Sequence, residues 1–185
     1  MESELLARIS REEREFLTRT AVAAAAALFQ GIARVLSGDL DGADASFQDA
    51  VQAGEQLGTP ESTAQALTER SLLAMARNQW SQAEALAEQA SAVSGRSKVK
   101  DALLGAVLAR SALHRGDHPA VRRQLVSAQR LRPLLTYAVP HVAVQVRIEL
   151  TRVHLALADT AGARALMREI DELLKRRPGL GTLTG

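Results

Sequence analysis

The sequence predicts an all-α protein made of four stacked helical hairpins, and three observations lead to this prediction. A turn motif recurs at Gly38, Asn78, Gly116 and Ala158, at intervals of 40, 38 and 42 residues. A period of this length is typical of stacked helical units. The composition is 46% hydrophobic but only 3% aromatic, and its many alanines allow helices to approach closely. Apolar residues also recur with helical spacing on both sides of every turn.

The first helix of each predicted hairpin carries small or apolar residues at steps of four, three and four. Such steps keep side chains on one face of a helix, so we expect these faces to line the core. The residues are Ala24, Leu28, Gly31 and Val35; Ala64, Thr68, Ser71 and Met75; Ala102, Ala106, Ala109 and Leu113; and Val144, Ile148, Thr151 and Leu155.

The second helix of each hairpin shows the same kind of pattern. Its core-facing residues are Ala43, Phe47 and Ala50; Ala83, Ala87 and Ala90; Val121, Leu125 and Ala128; and Ala163, Met167 and Ile170. A further turn adds Ala53, Val93, Leu131 and Leu173. Together the patterns predict helices over residues 21–37, 40–57, 61–77, 80–94, 98–115, 118–132, 140–157 and 160–176.

The turns contain residues suited to ending one helix and beginning the next. Gly38 and Gly116 can adopt the left-handed backbone conformation that ends a helix. Asp39, Asp117 and Asp159 follow, where a carboxylate oxygen can accept from the free N–H groups of the next helix. Proline and glycine predict breaks between hairpins at 58–60, 94–95 and 133–140.

These patterns divide the chain into three parts. Residues 21–177 form the repeat domain. Residues 1–20 predict a charged N-terminal helix, in which arginines and glutamates alternate at spacings that allow pairing. This helix would be a remnant of an upstream domain or a junction. Residues 178–185 show no period and predict a flexible tail.

Composition and charge exclude several classes of protein. The net charge of +2 is too small to indicate nucleic acid as a partner by itself. The chain has no cysteine, which excludes disulfides and thiolate metal sites. The N-terminus is densely charged, unlike a signal peptide, and the apolar run 21–29 is too short to span a bilayer. We expect a cytoplasmic protein with no membrane partner.

The spacing of small residues resembles a known repeat. Gly31, Ala43 and Ala50 lie 12 and then seven positions apart, with the larger Phe47 between the last two. This arrangement resembles the tetratricopeptide repeat, in which small residues let paired helices approach closely. The resemblance implies a right-handed superhelix of about four tetratricopeptide-like hairpins.

Longer stretches resemble one family that contains such repeats. Residues 142–183, 38–58 and 78–95 are similar to repeats of the large LuxR-type bacterial transcriptional regulators, the MalT-like group, and residues 12–22 are similar to a segment upstream of those repeats. The resemblance implies a parent protein with a nucleotide-binding or cyclase-like module before this segment and a helix-turn-helix DNA reader after it. This segment would then be a non-catalytic sensing domain that contacts the other domains of the regulator. The chain has no GxxxxGK[ST] loop to hold a phosphate.

Catalytic and metal sites find little support in the sequence. The histidines His114, His118, His141 and His154 form no HExxH motif. His114 and His118 are four residues apart, but the turn at Gly116 separates them. No nucleophile motif is present, so we expect no enzyme activity, no metal and no cofactor.

Basic clusters occur at 122–123, 130–132 and 175–177. They are not interleaved with aromatic side chains that could stack on bases. Cations near a helix C-terminus also complement its dipole, which accounts for the last two clusters. We therefore expect no direct binding of nucleic acid by this segment.

The candidate binding residues lie on the first helices of the hairpins, which line the concave side of such superhelices. They are Gln65, Arg110, His114, Gln145 and Arg152. Amide, guanidinium and imidazole groups could together hold a peptide of a partner protein or a small polar effector. Replacing Arg110 and Arg152 together by alanine is expected to weaken this binding and leave helicity intact.

Two other functions stay open. The chain could be a free-standing scaffold that joins protein partners and has no DNA-binding parent. It could also form homo-oligomers through a terminal repeat, because an array without polar caps leaves apolar residues such as Val22, Phe29 or Leu173 uncovered.

Overall fold

The structure is a computed structural model that describes residues 11–93, 98–135 and 140–176. These residues form eight α-helices and one short 3-10 turn, with no strand among them. The helices are α1 (Arg11–Leu36), α2 (Leu40–Leu57), α3 (Pro60–Ala76), α4 (Trp80–Val93), α5 (Lys98–His114), α6 (His118–Leu131), α7 (Pro140–Ala156) and α8 (Thr160–Arg176). The 3-10 turn, Arg132–Leu134, follows α6. The all-α class predicted from sequence is confirmed.

Consecutive helices pack as four antiparallel pairs: α1 with α2, α3 with α4, α5 with α6, and α7 with α8. The last seven helices agree with their predicted bounds to within one residue. The first differs, because α1 is continuous from Arg11 and includes part of the charged segment predicted as a separate helix. No glycine or proline interrupts it before Gly31. The predicted tail lies outside the described residues.

The four turns inside the pairs share one backbone conformation. Gly38 and Gly116 have φ of 82° and 72°, as predicted. Asn78 and Ala158 occupy the same position with φ of 59° and 58°. Asparagine tolerates this left-handed conformation better than alanine does, so the fourth turn carries local strain that the glycine turns avoid.

The predicted aspartate caps are also present. Asp39, Asp117 and Asp159 each accept a hydrogen bond through Oδ1 from the backbone amide three residues further on, at 2.9, 3.0 and 2.9 Å. They satisfy one of the free N–H groups at the start of α2, α6 and α8. The left-handed residue and the following cap together make each of these three turns sharp.

Most of the predicted core positions are buried, but Leu155, Met167 and Val93 are exposed. Met167 was predicted wrongly because α8 buries a neighbouring set of side chains, including Leu166 and Leu173, and turns Met167 outward. Leu86 of α4 is buried at the position equivalent to Leu166, and the sequence pattern missed it as well.

Helices α1 and α2 pack closely, and α5 is the central helix of the packing. The backbone of α1 comes so close to α2 at Gly31 that a Cβ there would collide with the ring of Phe47. Helix α5 lies between α3 and α7 and also contacts α4 and α6, and no residue from Asp101 to Leu113 is exposed. The helices α3, α5 and α7 therefore form one row, with α5 in the middle.

No helix in the described ranges is long and apolar enough to cross a membrane.

Candidate functional site

A stack of three side chains forms where α4 and α5 meet. The indole of Trp80 lies parallel to the imidazole of His114, with ring centroids 4.1 Å apart and planes inclined by 7°. The guanidinium of Arg110 lies 5.5 Å from the centroid of the Trp80 ring, within cation–π range. Arg110 and His114 reach the same ring because residues four apart share a helix face.

The stack continues into a cluster of charges on α7. Arg110 Nη1 lies 2.6 Å from one carboxylate oxygen of Glu149. Arg152 Nη1 lies 2.9 Å from the other oxygen, which also accepts a hydrogen bond from Gln145 Nε2 at 2.8 Å. The Glu149 side chain is only 1% exposed, so both arginines are held by a carboxylate almost fully removed from water. Such charge-assisted bonds fix geometry as well as adding energy.

The exposed part of this cluster is rich in cationic groups. One buried carboxylate neutralises only one of its two arginines, which leaves a net positive charge. The side chains of Arg110 and Arg152 are 17% and 38% exposed, and His114 is exposed beside them. We call Trp80, Arg110, His114 and Arg152 the arginine–tryptophan surface. It offers N–H donors and a flat aromatic face, which suits an anionic or planar group.

Gln65 and Gln145, the two glutamines predicted to bind a ligand, do not lie on this surface. Gln65 is 8% exposed and Gln145 is completely buried. They are buried because α3 and α7 both pack against α5, where an open groove was predicted from the sequence. Gln145 instead donates a hydrogen bond to Glu149, and its own Oε1 has no hydrogen-bond partner among the described residues.

A second buried charge pair joins α3 to α7. Glu69 is completely buried, and its carboxylate lies 3.7 Å from Nε2 of His141, which is 6% exposed. This distance allows an ion pair but exceeds a hydrogen bond, and within the described chain neither group has a hydrogen-bond partner. Burial lowers the pKa of His141, but the neighbouring Glu69 carboxylate outweighs that effect and leaves the pKa above its ordinary value.

Sequence reasoning missed both acidic residues. Glu149 had a local signal, since it lies four residues after Gln145 and three before Arg152, the spacing of side chains on one helix face. Glu69 had a weaker one. Its helix carries apolar residues such as Ala66 and Leu73 outside the predicted face, which indicates a helix buried on more than one side.

Another hollow, of about 540 Å³, lies between the 3-10 turn, α7 and α8. Leu135 and Leu173 form part of its wall, and two arginines and two glutamates also line it: Arg147, Arg168, Glu169 and Glu172. Arg147 Nε is 2.9 Å from Glu169, so these two charges satisfy each other. The hollow therefore lacks the excess charge of the arginine–tryptophan surface.

The remaining buried histidine has a structural role. His154 Nδ1 lies 2.7 Å from Oδ2 of Asp159, the residue that caps α8. Its Nε2 lies 2.9 Å from the side-chain amide nitrogen of Gln129. In the part of the chain that the structure describes, no three histidine, aspartate or glutamate side chains are grouped as metal ligands would be.

No known protein family matches the chain, and no curated protein is significantly similar to it in sequence. The case for a function therefore depends on the chemistry of the site.

Proposed function

We propose that this chain is a non-catalytic interaction and sensing domain whose arginine–tryptophan surface binds an anionic effector or an acidic segment of a partner protein. The observation that carries this proposal is the sharing of one buried carboxylate by two arginines beside an aromatic stack. Glu149 holds Arg110 and Arg152 in place but cancels only one of their charges. A carboxylate or phosphate from a ligand would supply the missing negative charge.

The arrangement also favours binding because it is already ordered. Arg110 is fixed by both Glu149 and Trp80, so it loses little side-chain freedom when a ligand arrives. Arg152 uses Nη1 for Glu149, while a guanidinium has five N–H donors in all. A planar carboxylate could accept two of the others at once, which is the geometry arginine recognises best.

We further propose that the four helix pairs form a right-handed tetratricopeptide-like superhelix. Support comes from the shared conformation of the four turns and from the contacts of α3, α5 and α7 along one side. Close packing at small residues is a second support, since Gly31 and Ala43 are both buried where α1 meets α2.

The similarity of residues 38–58, 78–95 and 142–183 to LuxR-type regulators supports placing the domain in such a parent. Effector binding would then alter how the domain packs against its neighbours. The alternative is a free-standing scaffold. Sequencing the coding DNA on both sides separates them, because a frame continuing into a helix-turn-helix supports the regulator and a nearby stop codon contradicts it.

The binding proposal can be tested through Trp80, the single tryptophan of the chain. Its fluorescence should change on titration with citrate, inorganic phosphate or the peptide acetyl-(Ala-Glu)3-amide. Arg152→Ala should weaken binding of the active probe by at least about tenfold, since one charge-assisted hydrogen bond contributes about 1.5–3 kcal/mol. Arg122→Ala, which removes an exposed arginine of α6, is the matched control and should leave affinity unchanged.

The single substitution is a better test than alanine at both arginines. Removing Arg110 and Arg152 together would leave Glu149 buried without a cation, a change that typically costs about 3–5 kcal/mol of stability. Lost binding could then reflect lost structure. In Arg152→Ala the carboxylate keeps Arg110. Equal affinities of the Arg152→Ala and Arg122→Ala proteins would remove this surface as the binding site.

A further inference from the structure

Helix α1 exposes a continuous apolar stripe on the side that faces away from α2. Phe29 is 65% exposed, Val22 63% and Leu36 40%, the first two being the largest exposures among the large apolar side chains described. Ala26 and Ala33 lie between them and are also exposed. The five residues follow one another at steps of four, three, four and three, so they form one straight row along the helix.

All of the stripe except Leu36 lies in a segment without charge. Between Arg19 and Arg34 the helix has no lysine, arginine, aspartate or glutamate. The water-facing side of a surface helix normally carries such residues, and contiguous exposed apolar patches mark interaction sites. By contrast, Leu155 and Met167 are single exposed apolar residues on different helices, which need no such explanation.

The order of side-chain sizes indicates what covers the stripe. Its steps are those of a heptad seam in which alanines occupy the a positions and Val22, Phe29 and Leu36 the d positions. In a parallel pair of such helices, Phe29 would meet Phe29 and Ala26 would meet Ala26, leaving alternate crowding and gaps. In an antiparallel pair centred between Ala26 and Phe29, Val22 and Phe29 each meet an alanine, and Leu36 meets Arg19 at the end of the seam. Large against small is the packing that fills a helix interface.

We propose that α1 pairs in an antiparallel coiled coil with α1 of a second copy of this chain. A two-fold axis between Ala26 and Phe29 places Ala26 of each copy against Phe29 of the other. It also places Val22 of each copy against Ala33 of the other. The interface is self-complementary, as a two-fold dimer requires. This inference is independent of the arginine–tryptophan surface and of the proposed binding function.

Sedimentation equilibrium of the full chain from about 5 to about 500 μM tests the dimer, whose population must rise with concentration. The average mass should rise from 19.8 kDa towards twice that value. Phe29→Glu should weaken dimerisation more than tenfold, because it places a charge in the seam. Leu155→Glu changes a comparably exposed residue of α7 and should dimerise like the wild type. Far-UV circular dichroism checks that both variants fold.

Disulfide cross-linking tests the orientation, and the absence of native cysteine makes it unambiguous. A mixture of Val22→Cys and Ala33→Cys proteins should form a mixed disulfide dimer, while each protein alone should cross-link at least tenfold more slowly. Rapid cross-linking of Val22→Cys with itself would indicate parallel helices and overturn the proposal. A monomer at every concentration would overturn it too, as would equal weakening by Phe29→Glu and Leu155→Glu.

Discussion

Replacing His141 by glutamine should destabilise the protein about three times more than replacing Glu69 by glutamine at about pH 6. The two side chains form a buried pair, 3.7 Å apart, in which each compensates the other's charge. When one partner is removed, the other must become neutral or remain a buried charge. The lower of these two costs determines the loss of stability.

The cost of neutralisation follows from ordinary pKa values. Protonating a carboxylate with an ordinary pKa of about 4.3 at pH 6 costs about 2.3 kcal/mol, which is less than the 3–5 kcal/mol typical of a broken buried pair. Deprotonating a histidine with an ordinary pKa of about 6.5 at the same pH costs only about 0.7 kcal/mol. The intact pair is expected to contribute little net stability, since desolvation offsets its attraction.

Urea denaturation followed by far-UV circular dichroism at about pH 6 provides the measurement. Glutamine is smaller than histidine, so part of the stability lost in His141→Gln comes from packing. The loss caused by His141→Gln in the Glu69→Gln protein gives this packing cost alone. It is then subtracted from the loss that His141→Gln causes in the wild type. If the corrected losses are equal, or if Glu69→Gln loses more, the assignment of an ionised pair is wrong.

The pair also predicts a pH dependence with a definite sign. The pKa of His141 is raised in the folded protein, so the stability it contributes is complete below its unfolded pKa of about 6.5 and is lost as pH rises through the raised value. The stability of the wild type relative to the double variant should therefore fall between about pH 6 and pH 8. A constant difference over this range would contradict the reasoning.

Two further predictions concern backbone positions, both measured by urea denaturation. Gly31→Ala should cost about 1–3 kcal/mol of stability because its Cβ would collide with Phe47. Gly105→Ala, whose Cβ would have its nearest neighbour 3.4 Å away, should cost nothing. Equal losses in the two variants would contradict the close approach of α1 and α2. Ala158→Gly should stabilise the protein by about 1 kcal/mol because glycine adopts the left-handed conformation without strain. Ala161→Gly, inside α8, should destabilise the protein. A loss of stability in both variants would show that the fourth turn is not strained.

Features set by neighbouring residues could be predicted from the sequence. The bounds of α2 to α8 follow from apolar spacing, and the turns follow from Gly38 and Gly116 with the aspartates after them. Ala158 also adopts the left-handed conformation, although alanine has no intrinsic preference for it. There the packing of α7 against α8 overrides local preference.

The candidate site was predicted only in part, because it depends on how helices pack between pairs. Arg110 and His114 share a helix face and meet Trp80, but no sequence pattern indicated that this ring would lie there. Gln145 was expected in a groove and is buried. The spacing of Glu149 places it on the helix face of Gln145 and Arg152, but its burial could not be predicted because helical spacing does not show which polar face another helix covers.

The contact between Glu69 and His141 has a consequence for how this chain can change through evolution. In a simple linear array each unit touches only its neighbours, so whole units can be duplicated or deleted. Here a residue of the second helix pair meets a residue of the fourth, across α5 of the third. Deleting or duplicating the third pair would separate the two groups and leave each uncompensated. The first helix pair takes no part in this contact and is the unit whose gain or loss the molecule should tolerate best.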